Sequence, residues 1–430
     1  MILIENATII TLQSEKVLKN SDLVISGDKI IYIGPKKSYQ FTFEKTIDGT
    51  DFIVMPGFAN THSHLAMTFF RGYGNDLPLK KWLFNYIFPV EEMLTEEHVY
   101  FGTLIACIES IRTGTTTLSD FYMMPEKSIK AIKEAGLRAN VGYAFASKPG
   151  LNRITLKKAE KFFNDFNGIE NNRILASLAP HATYTCTNTL LSETSKLAQN
   201  IGALIQIHLH ETREEVEDYK KKNGKTPILK LDEIGFFNAK VLASHCVHIT
   251  DEETKALKDN KVGVSVNPQS NLKLGSGIPK IHNLLREGVK LSIGTDGPSS
   301  NNNLSVLEDL RLTSLLAKGL SENPEVLNSF EALKIGTING EENLGFKDVG
   351  VLKEGYKADL IMINKKKTNF MPETDYLSHV VYSMFPADVD YVFVDGKLIM
   401  EMGKILTLDE EILKKEFIKL SKELYKSSPQ

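Results

Sequence analysis

Both ends of the chain share a pattern of short hydrophobic runs separated by polar turns. Such runs cover residues 1–12 and 22–35, and residues 357–364 and 390–406 repeat the pattern near the other end. The runs are rich in residues that favour strands, and Asp395–Gly396 is typical of a hairpin turn. The pattern therefore predicts that the two termini together build one small β-sandwich.

The middle of the chain alternates between short hydrophobic runs and amphipathic stretches of helical period. The eight hydrophobic runs cover residues 52–64, 115–122, 138–146, 174–184, 204–212, 241–248, 262–271 and 290–300. Eight strands that alternate with helices predict an α/β fold, a closed (β/α)8 barrel of the TIM type. An open, doubly wound sheet is the alternative, but none of the strands is followed by a glycine-rich phosphate loop.

The two patterns divide the chain into two predicted domains. Residues 1–55 and 361–430 form the β-sandwich domain, which includes a Lys- and Glu-rich helix over about residues 409–426. Residues 56–360 form the barrel. We expect the chemistry to lie in the barrel, at the carboxyl ends of its strands.

The amino-acid composition limits the kinds of molecule that the protein is expected to bind. Of the 430 residues, 24% are charged, and the net charge of −3 gives no reason to expect binding to nucleic acid or to an anionic membrane. No run approaches the ~18 apolar residues of a membrane span, and the first residues do not resemble a signal peptide. The three scattered cysteines have no zinc-site spacing, so we expect a cytoplasmic protein with reduced thiols. The sequence leaves a homo-oligomer open.

Polar residues collect where the predicted barrel strands end. They are His62, His64, His181, His208, His210, Glu211, His245, His248 and Asp296. Residues i and i+2 of a strand share a face, so His62 and His64 can converge on one point. Imidazole and carboxylate groups that meet at one end of a barrel predict a site for a zinc-like ion.

These residues resemble the amidohydrolase superfamily in type and order. The resemblance rests on "VMPGFANTHSH", "HLHET", "HCVH" and "GTDG" and covers nearly the whole chain. It implies metal ligands at His62, His64, His208 and Asp296. The fourth strand has no lysine to bridge two ions, which favours one divalent metal, with Zn²⁺ first and Fe²⁺, Mn²⁺ or Co²⁺ as alternatives.

The resemblance also implies catalytic roles. The metal activates a water molecule, and Asp296 takes a proton from it. His245 orients the attacking oxygen, and Glu211 carries a proton to the ring nitrogen beside the attacked carbon. His210 and His248 are expected to be structural. A barrel that only binds a partner would be expected to lack some ligands, and all are present here.

Within the superfamily, the chain is similar to the 5′-methylthioadenosine/S-adenosylhomocysteine deaminase group. The stretches "NTHSHLAMTFFRG" and "GTDGPSSNNNLSVLEDLR" carry this similarity. It implies hydrolytic deamination of 5′-methylthioadenosine, S-adenosylhomocysteine or adenosine to the inosine analogue and ammonia. The alternative is a related enzyme of the guanine deaminase or triazine chlorohydrolase type.

The similarity implies a set of substrate contacts. They are Trp82 near the 5′ side, Glu91 at the ribose hydroxyls, His181 at the purine or ribose, and Glu211 at the base. An amino-acid tail on the substrate would call for arginines after the third strand. Tyr143 stands where one would fall, Arg153 is the nearest candidate, and Lys148 could supply the charge instead. This departure favours 5′-methylthioadenosine or adenosine over S-adenosylhomocysteine, although the sequence alone does not settle the preferred substrate.

Overall fold

We describe a computed structural model of the chain, which covers residues 1–148 and 150–427. The strands in chain order are β1 Ile2–Ile10, β2 Val17–Ser26, β3 Lys29–Pro35, β4 Lys45–Asp48, β5 Phe52–Pro56, β6 Phe58–Asn60, β7 Thr115–Tyr122, β8 Arg138–Phe145, β9 Ile174–Pro180, β10 Leu204–Leu209, β11 Lys240–His245, β12 Gly263–Val266, β13 Leu291–Ile293, β14 Leu360–Asn364, β15 Val389–Val394, β16 Lys397–Glu401 and β17 Lys404–Ile405.

The α-helices connect the strands and surround the barrel. They are α1 Leu79–Trp82, α2 Phe88–Glu91, α3 Glu96–Arg112, α4 Pro125–Ala135, α5 Asn152–Phe166, α6 Ile169–Asn172, α7 Asn188–Ile201, α8 Arg213–Asn223, α9 Pro227–Glu233, α10 Asp251–Asp259, α11 Pro268–Lys273, α12 Ile281–Glu287, α13 Val306–Ser321, α14 Ser329–Ile335, α15 Ile338–Leu344, α16 Tyr376–Ser378 and α17 Glu410–Ser427. A 3-10 helix, Leu65–Phe70, follows the first barrel strand. Within the described residues, no helix has both the length and the apolar composition needed to cross a bilayer.

The barrel is built from eight parallel strands in sequence order, β6 to β13. Each strand pairs with the next, and backbone hydrogen bonds from Thr61 to Ile293 and from Asp296 to His62 bring the last strand against the first. The predicted (β/α)8 barrel is confirmed, and seven of the eight strands fall within the predicted runs, while β11 begins one residue before its run. The carboxyl ends of the strands therefore meet at one face.

The barrel interior contains many polar side chains that hydrogen-bond to one another. Gln206 accepts from Ser119 at 2.6 Å and donates to Ser177 at 2.8 Å, and Thr61 lies 2.8 Å from Ser265. A buried polar group without a partner costs free energy, so these cross-strand pairs fix the strands relative to one another. The metal-site candidates lie directly above this layer.

Strands from both termini form a second, mixed sheet. Its order is β17-β16-β15-β14-β5-β1-β2-β3, with β4 paired to β1, and β5 runs antiparallel to β14. A separate apolar core that includes Ile4, Val54 and Phe393 stabilises it. The prediction that both termini contribute to one β-rich unit is confirmed, whereas the domain limits at residues 55 and 361 stay a prediction.

The C-terminal helix α17, which the sequence analysis grouped with the β domain, packs against helix α3 of the barrel. Phe417 stacks on Phe69 with ring centroids 4.2 Å apart, and the Tyr425 hydroxyl donates to the Phe69 carbonyl at 2.6 Å. Phe69 belongs to the 3-10 helix that follows His64. The helix thus supports the segment that leads away from two candidate metal ligands.

A buried ion-pair cluster joins the barrel to the terminal sheet. Arg138, at the start of β8, donates to both carboxylate oxygens of Asp359 at 2.7 and 3.0 Å, and it also donates to Asp395. Asp359 and Asp395 flank strands of the terminal sheet, and all three side chains are at most 10% exposed. Removing the cation would leave the buried Asp359 carboxylate without its cationic partner, whereas Asp395 would keep Lys357 at 3.5 Å.

We expect Arg138→Met to lower the free energy of unfolding by about 3–5 kcal/mol, measured by urea titration. The matched control is Arg112→Met, which breaks the surface pair between the 47%-exposed Arg112 and Glu410 and should cost less than about 1 kcal/mol. Equal effects of the two substitutions would show that the buried cluster does not stabilise the fold.

Candidate metal centre and active site

Three imidazoles and one carboxylate converge at the carboxyl end of the barrel. His62 and His64 follow β6, His208 lies in β10, and Asp296 follows β13. Asp296 Oδ1 is 3.5 Å from His62 Nε2 and 3.2 Å from His64 Nε2, and His64 Nε2 is 3.2 Å from His208 Nε2. The structure brings together all four residues for which the sequence predicts metal binding.

The hydrogen bonds around these rings fit a bound cation. His64 Nδ1 donates to the Phe121 carbonyl, and His208 Nδ1 donates to the His181 carbonyl at 2.8 Å. Because a carbonyl can only accept, each ring presents an unprotonated Nε2 to the centre. Two lone pairs facing each other at 3.2 Å would repel. Neither buried ring nitrogen of His62 has a hydrogen-bond partner among the described residues. Burial lowers the pKa of His62 and His208, which favours the neutral form that binds metals.

His245 faces the same centre from the end of β11. Its Nε2 lies 4.0 Å from Glu211 Oε2, and the side-chain amides of Asn267 and Asn271 lie 3.2 and 2.9 Å from its Nδ1. Burial lowers the pKa of His245 to about 3, so the ring is neutral at physiological pH. The backbone φ of His245 is +76° and that of Asp296 is +62°. Residues other than glycine rarely adopt this conformation, and those that do are often found at functional sites.

Glu211 is buried beside this group. Burial, with the neighbouring carboxylates Asp296 and Glu215, raises the pKa of Glu211 well above its usual value. Its backbone N–H donates to Glu215 Oε2 at 2.8 Å, and the N–H of His210 donates to Glu215 Oε1 at 3.3 Å. Glu215 therefore holds the turn that carries Glu211. A carboxyl group whose pKa is raised in this way keeps its proton to a higher pH than an exposed glutamate and can act as a general acid.

Two of the predicted substrate contacts lie next to the histidines. The Tyr122 hydroxyl donates to Glu91 Oε1 at 2.6 Å, and the Tyr122 ring is 6.3 Å from the ring of His64. The His181 ring is 4.8 Å from the ring of His208, and burial lowers the pKa of His181 to about 4. Glu91 and His181 thus flank the metal-site candidates.

The other predicted substrate contacts lie further from the centre. Trp82 is 5% exposed and packs in a hydrophobic cluster with Met67 and Phe70. Arg153, on α5, and Lys148 are exposed to solvent. The structure does not bring either cation to the histidines.

A cavity of about 710 Å³ opens beside the site, between the loop after β9, helix α8 and the segment 78–84. Tyr184, whose ring is 5.7 Å from that of His181, and Ser276, which lies beside Glu211, form the border with the site. Lys80 and Lys222 are the basic residues among the described lining residues, and Lys80 is already paired with Glu214 and Asp218. Arg153 and Lys148 do not line this cavity.

Several residues around the centre were not identified from the sequence. Asp120 is buried in β7 and accepts from the Leu65 backbone N–H at 2.9 Å, and Ser270 and Ser300 donate to Asp296. Glu215 had a local signal, because Thr212 caps α8 and Glu215 is the third helical residue. The others make contacts across the barrel that no local pattern reveals.

Comparisons with known proteins agree with this geometry. Residues 53–399 match the model of the amidohydrolase family. The chain is 45% identical over 396 residues to a 5′-deoxyadenosine deaminase of Methanocaldococcus jannaschii, covering 91% of this chain and 94% of the relative. It is 43% identical over 427 residues to a 5-methylthioadenosine/S-adenosylhomocysteine deaminase of Dictyoglomus thermophilum, covering 99% and 100%.

A solved structure has the same fold. An adenosine deaminase from Xanthomonas campestris with bound zinc superposes with a TM-score of 0.95 and 29% sequence identity, covering 99% of this chain and 98% of the other. The match extends over the barrel and the terminal sheet alike. The length of the family match and the identity to these relatives show that the chain belongs to the amidohydrolase family.

Proposed function

We propose that this protein is a hydrolytic deaminase of adenosine derivatives, which releases ammonia and yields the inosine analogue. The observation that carries the proposal is the buried carboxyl of Glu211 beside the group of three histidines and Asp296. The relatives named 5′-deoxyadenosine deaminase and 5-methylthioadenosine/S-adenosylhomocysteine deaminase support the substrate class.

His62, His64, His208 and Asp296 would hold one divalent metal ion. Such an ion lowers the pKa of a bound water from 15.7 toward about 7 and so supplies hydroxide at neutral pH. The zinc in the related adenosine deaminase favours Zn²⁺, and the same donor set would accept Fe²⁺, Mn²⁺ or Co²⁺.

The protein's own residues then move the protons. Asp296 Oδ1, between His62 and His64, accepts a proton from the attacking water. The neutral His245 presents Nε2 and orients the attacking oxygen. Glu211 gives its proton to the purine nitrogen beside the attacked carbon, which makes that carbon more electrophilic. The bond from the attacked carbon to the amino group then breaks as that group takes the proton held by Asp296 and leaves as ammonia, and the new hydroxyl returns its proton to Glu211 as the C=O bond forms.

Glu91 binds the ribose in this proposal. A carboxylate suits a diol because it accepts from both hydroxyls, and the bond from Tyr122 fixes its orientation. Burial raises the pKa of Glu91, so this site would favour an incoming donor that satisfies the carboxylate. A free base such as guanine has no diol to offer, which favours a nucleoside over the alternative substrates. Trp82, buried behind this segment, would support it rather than touch the substrate.

The cavity beside Tyr184 and Ser276 would receive the 5′ substituent. Its only described cations are Lys80, already paired with two carboxylates, and Lys222, and the lining contains the acidic residues Glu214, Glu215 and Asp218. A free carboxylate would therefore lack a guanidinium partner there. We propose a preference for small uncharged 5′ groups over the homocysteine tail.

The test is ammonia release from 5′-deoxyadenosine, 5′-methylthioadenosine, adenosine, S-adenosylhomocysteine and guanine by zinc-loaded protein. We expect kcat/KM for the first two to exceed that for S-adenosylhomocysteine by about 10–100-fold, because one charge-assisted hydrogen bond contributes about 1.5–3 kcal/mol. Equal or better use of S-adenosylhomocysteine would contradict the cavity assignment. Activity on guanine alone would contradict the proposed substrate class.

A further inference from the structure

One oxygen of the Asp296 carboxylate, Oδ2, accepts hydrogen bonds from two hydroxyl groups. Oδ2 accepts from Ser270 Oγ at 2.6 Å and from Ser300 Oγ at 2.9 Å, whereas Oδ1 faces His62 and His64. Both serines are at most 2% exposed. A carboxylate can rotate about its Cβ–Cγ bond, and two donors on one oxygen oppose that rotation. The arrangement presents a single oxygen to the imidazoles.

The two serines come from different loops of the barrel. Ser270 lies in α11, which follows β12, and Ser300 lies in the turn that follows β13. Their hydroxyls meet on Asp296 only if the two loops keep a fixed separation. A contact that joins the two segments would therefore help to keep both hydroxyls on Asp296.

Asp309, in helix α13, makes that contact. Its carboxylate accepts from the backbone N–H of Gln269 at 2.9 Å, from the Gln269 side chain at 3.2 Å and from the Asn301 side chain at 2.9 Å. Gln269 directly precedes Ser270, and Asn301 directly follows Ser300. Asp309 is fully buried, and its hydrogen bonds come from neutral amide groups.

Asn301 extends the connection to the ligand itself. Its side-chain amide also donates to the carbonyl of Thr295, the residue before Asp296, at 2.8 Å. Asp309 is thus linked to the chain on both sides of the ligand loop. Burial of a carboxylate costs free energy unless hydrogen bonds offset that cost. The hydrogen bonds that offset it for Asp309 are the ones that join the two segments.

We propose that Ser270, Ser300 and Asp309 are positioning residues that fix Asp296 as a one-oxygen metal ligand and thereby set the affinity for the metal. We name these three residues the Asp296 clamp. The proposal rests on the proposed metal site, because it concerns how tightly that site binds. The clamp does not touch the substrate in this scheme, so its effect should appear first in metal affinity and only then in turnover.

The experiment measures zinc affinity of metal-free protein by competition with a chelating indicator. We expect Ser270→Ala/Ser300→Ala to weaken zinc binding by about 10–100-fold, and Asp309→Asn and Ser300→Ala alone to weaken it by about tenfold, as is typical when partners of metal ligands are removed. With saturating zinc, kcat of the variants should return toward the wild-type value, although their Kd for zinc stays raised. The matched control is Ser299→Ala, since the buried hydroxyl of Ser299 points to the Met67 sulfur and not to Asp296.

Thermal melting of each metal-free variant separates loss of the clamp from loss of the fold. If the double variant is unfolded, Ser300→Ala and Asp309→Asn decide the question. Zinc affinities within about threefold of the wild type in folded variants would overturn the clamp. Failure of the wild-type protein to bind zinc would overturn the metal site itself, and absence of deamination by a zinc-binding protein would overturn the substrate proposal.

Discussion

Replacing Glu211 with Gln should lower kcat for deamination of 5′-methylthioadenosine by about 10²–10⁴-fold, the usual contribution of a general acid or base. Glutamine has nearly the same shape and can donate a hydrogen bond to the ring nitrogen, but it cannot transfer a proton. Ammonia release under substrate saturation measures the effect. Because Glu211 is not among the proposed ligands, zinc affinity should stay close to that of the wild type.

The control for this substitution is Glu217→Gln. Glu217 lies on α8 close in sequence, and its side chain is exposed to solvent. Its replacement should leave kcat unchanged. A kcat for Glu211→Gln within tenfold of the wild type, with zinc bound, would show that Glu211 does not transfer the proton.

The pH dependence gives a second readout of the same residue. Burial and the nearby carboxylates Asp296 and Glu215 raise the pKa of Glu211. The protonated carboxyl is therefore present below that raised pKa and is lost as the pH rises through it. Wild-type kcat should fall on this alkaline side, and the residual rate of the Gln variant should not show that fall. The log of kcat against pH for both proteins makes the comparison.

The agreement between sequence and structure is strongest where barrel topology decides position. His62, His64, His208 and Asp296 are up to 234 residues apart in the chain, yet each lies near the end of a barrel strand or just after one, and the ends of parallel strands must meet at one face. The order of the strands could be predicted from hydrophobic period alone. The convergence of these four candidate ligands follows from that order.

The residues that surround these candidate ligands could not be predicted in the same way. Tyr122 ends strand β7, Asn271 lies in helix α11 and Ser300 in the turn after β13, and their contacts with the site depend on how these separate segments pack. Polar residues in such segments look the same in a sequence whether they face water or a ligand. The structure was needed to show which of them point inward.

For residues outside the barrel strands, the sequence did not predict where the side chains lie. Trp82 was predicted to line the pocket and is buried among apolar side chains, and Arg153 was a candidate anion ligand and is exposed. Both lie on segments outside the barrel strands, where side-chain direction depends on loop conformation rather than on strand period. Their predicted roles in substrate binding stay untested.

Removal of the metal should have the largest effect of any single change. We expect dialysis against a strong chelator to lower deamination by at least about 10³-fold, because an ion in this position stabilises several kcal/mol of developing charge. Zinc added back in equimolar amount should restore the rate. Ammonia release and zinc content, measured on the same samples, should rise together and level off at one ion per chain.

His208→Ala tests whether that ion acts at the proposed ligands. The substitution removes one of the three imidazoles whose Nε2 atoms face the centre, so it should weaken zinc binding and leave a rate that added zinc does not restore. His379→Ala is the matched control, since His379 hydrogen-bonds to the Pro372 carbonyl in the terminal part of the chain. A metal-free wild type that keeps its rate would contradict the metal-dependent reaction altogether. A chelator-sensitive rate that survives His208→Ala would instead place the ion elsewhere, because an ion held by this group cannot lose a ligand from β10 without consequence.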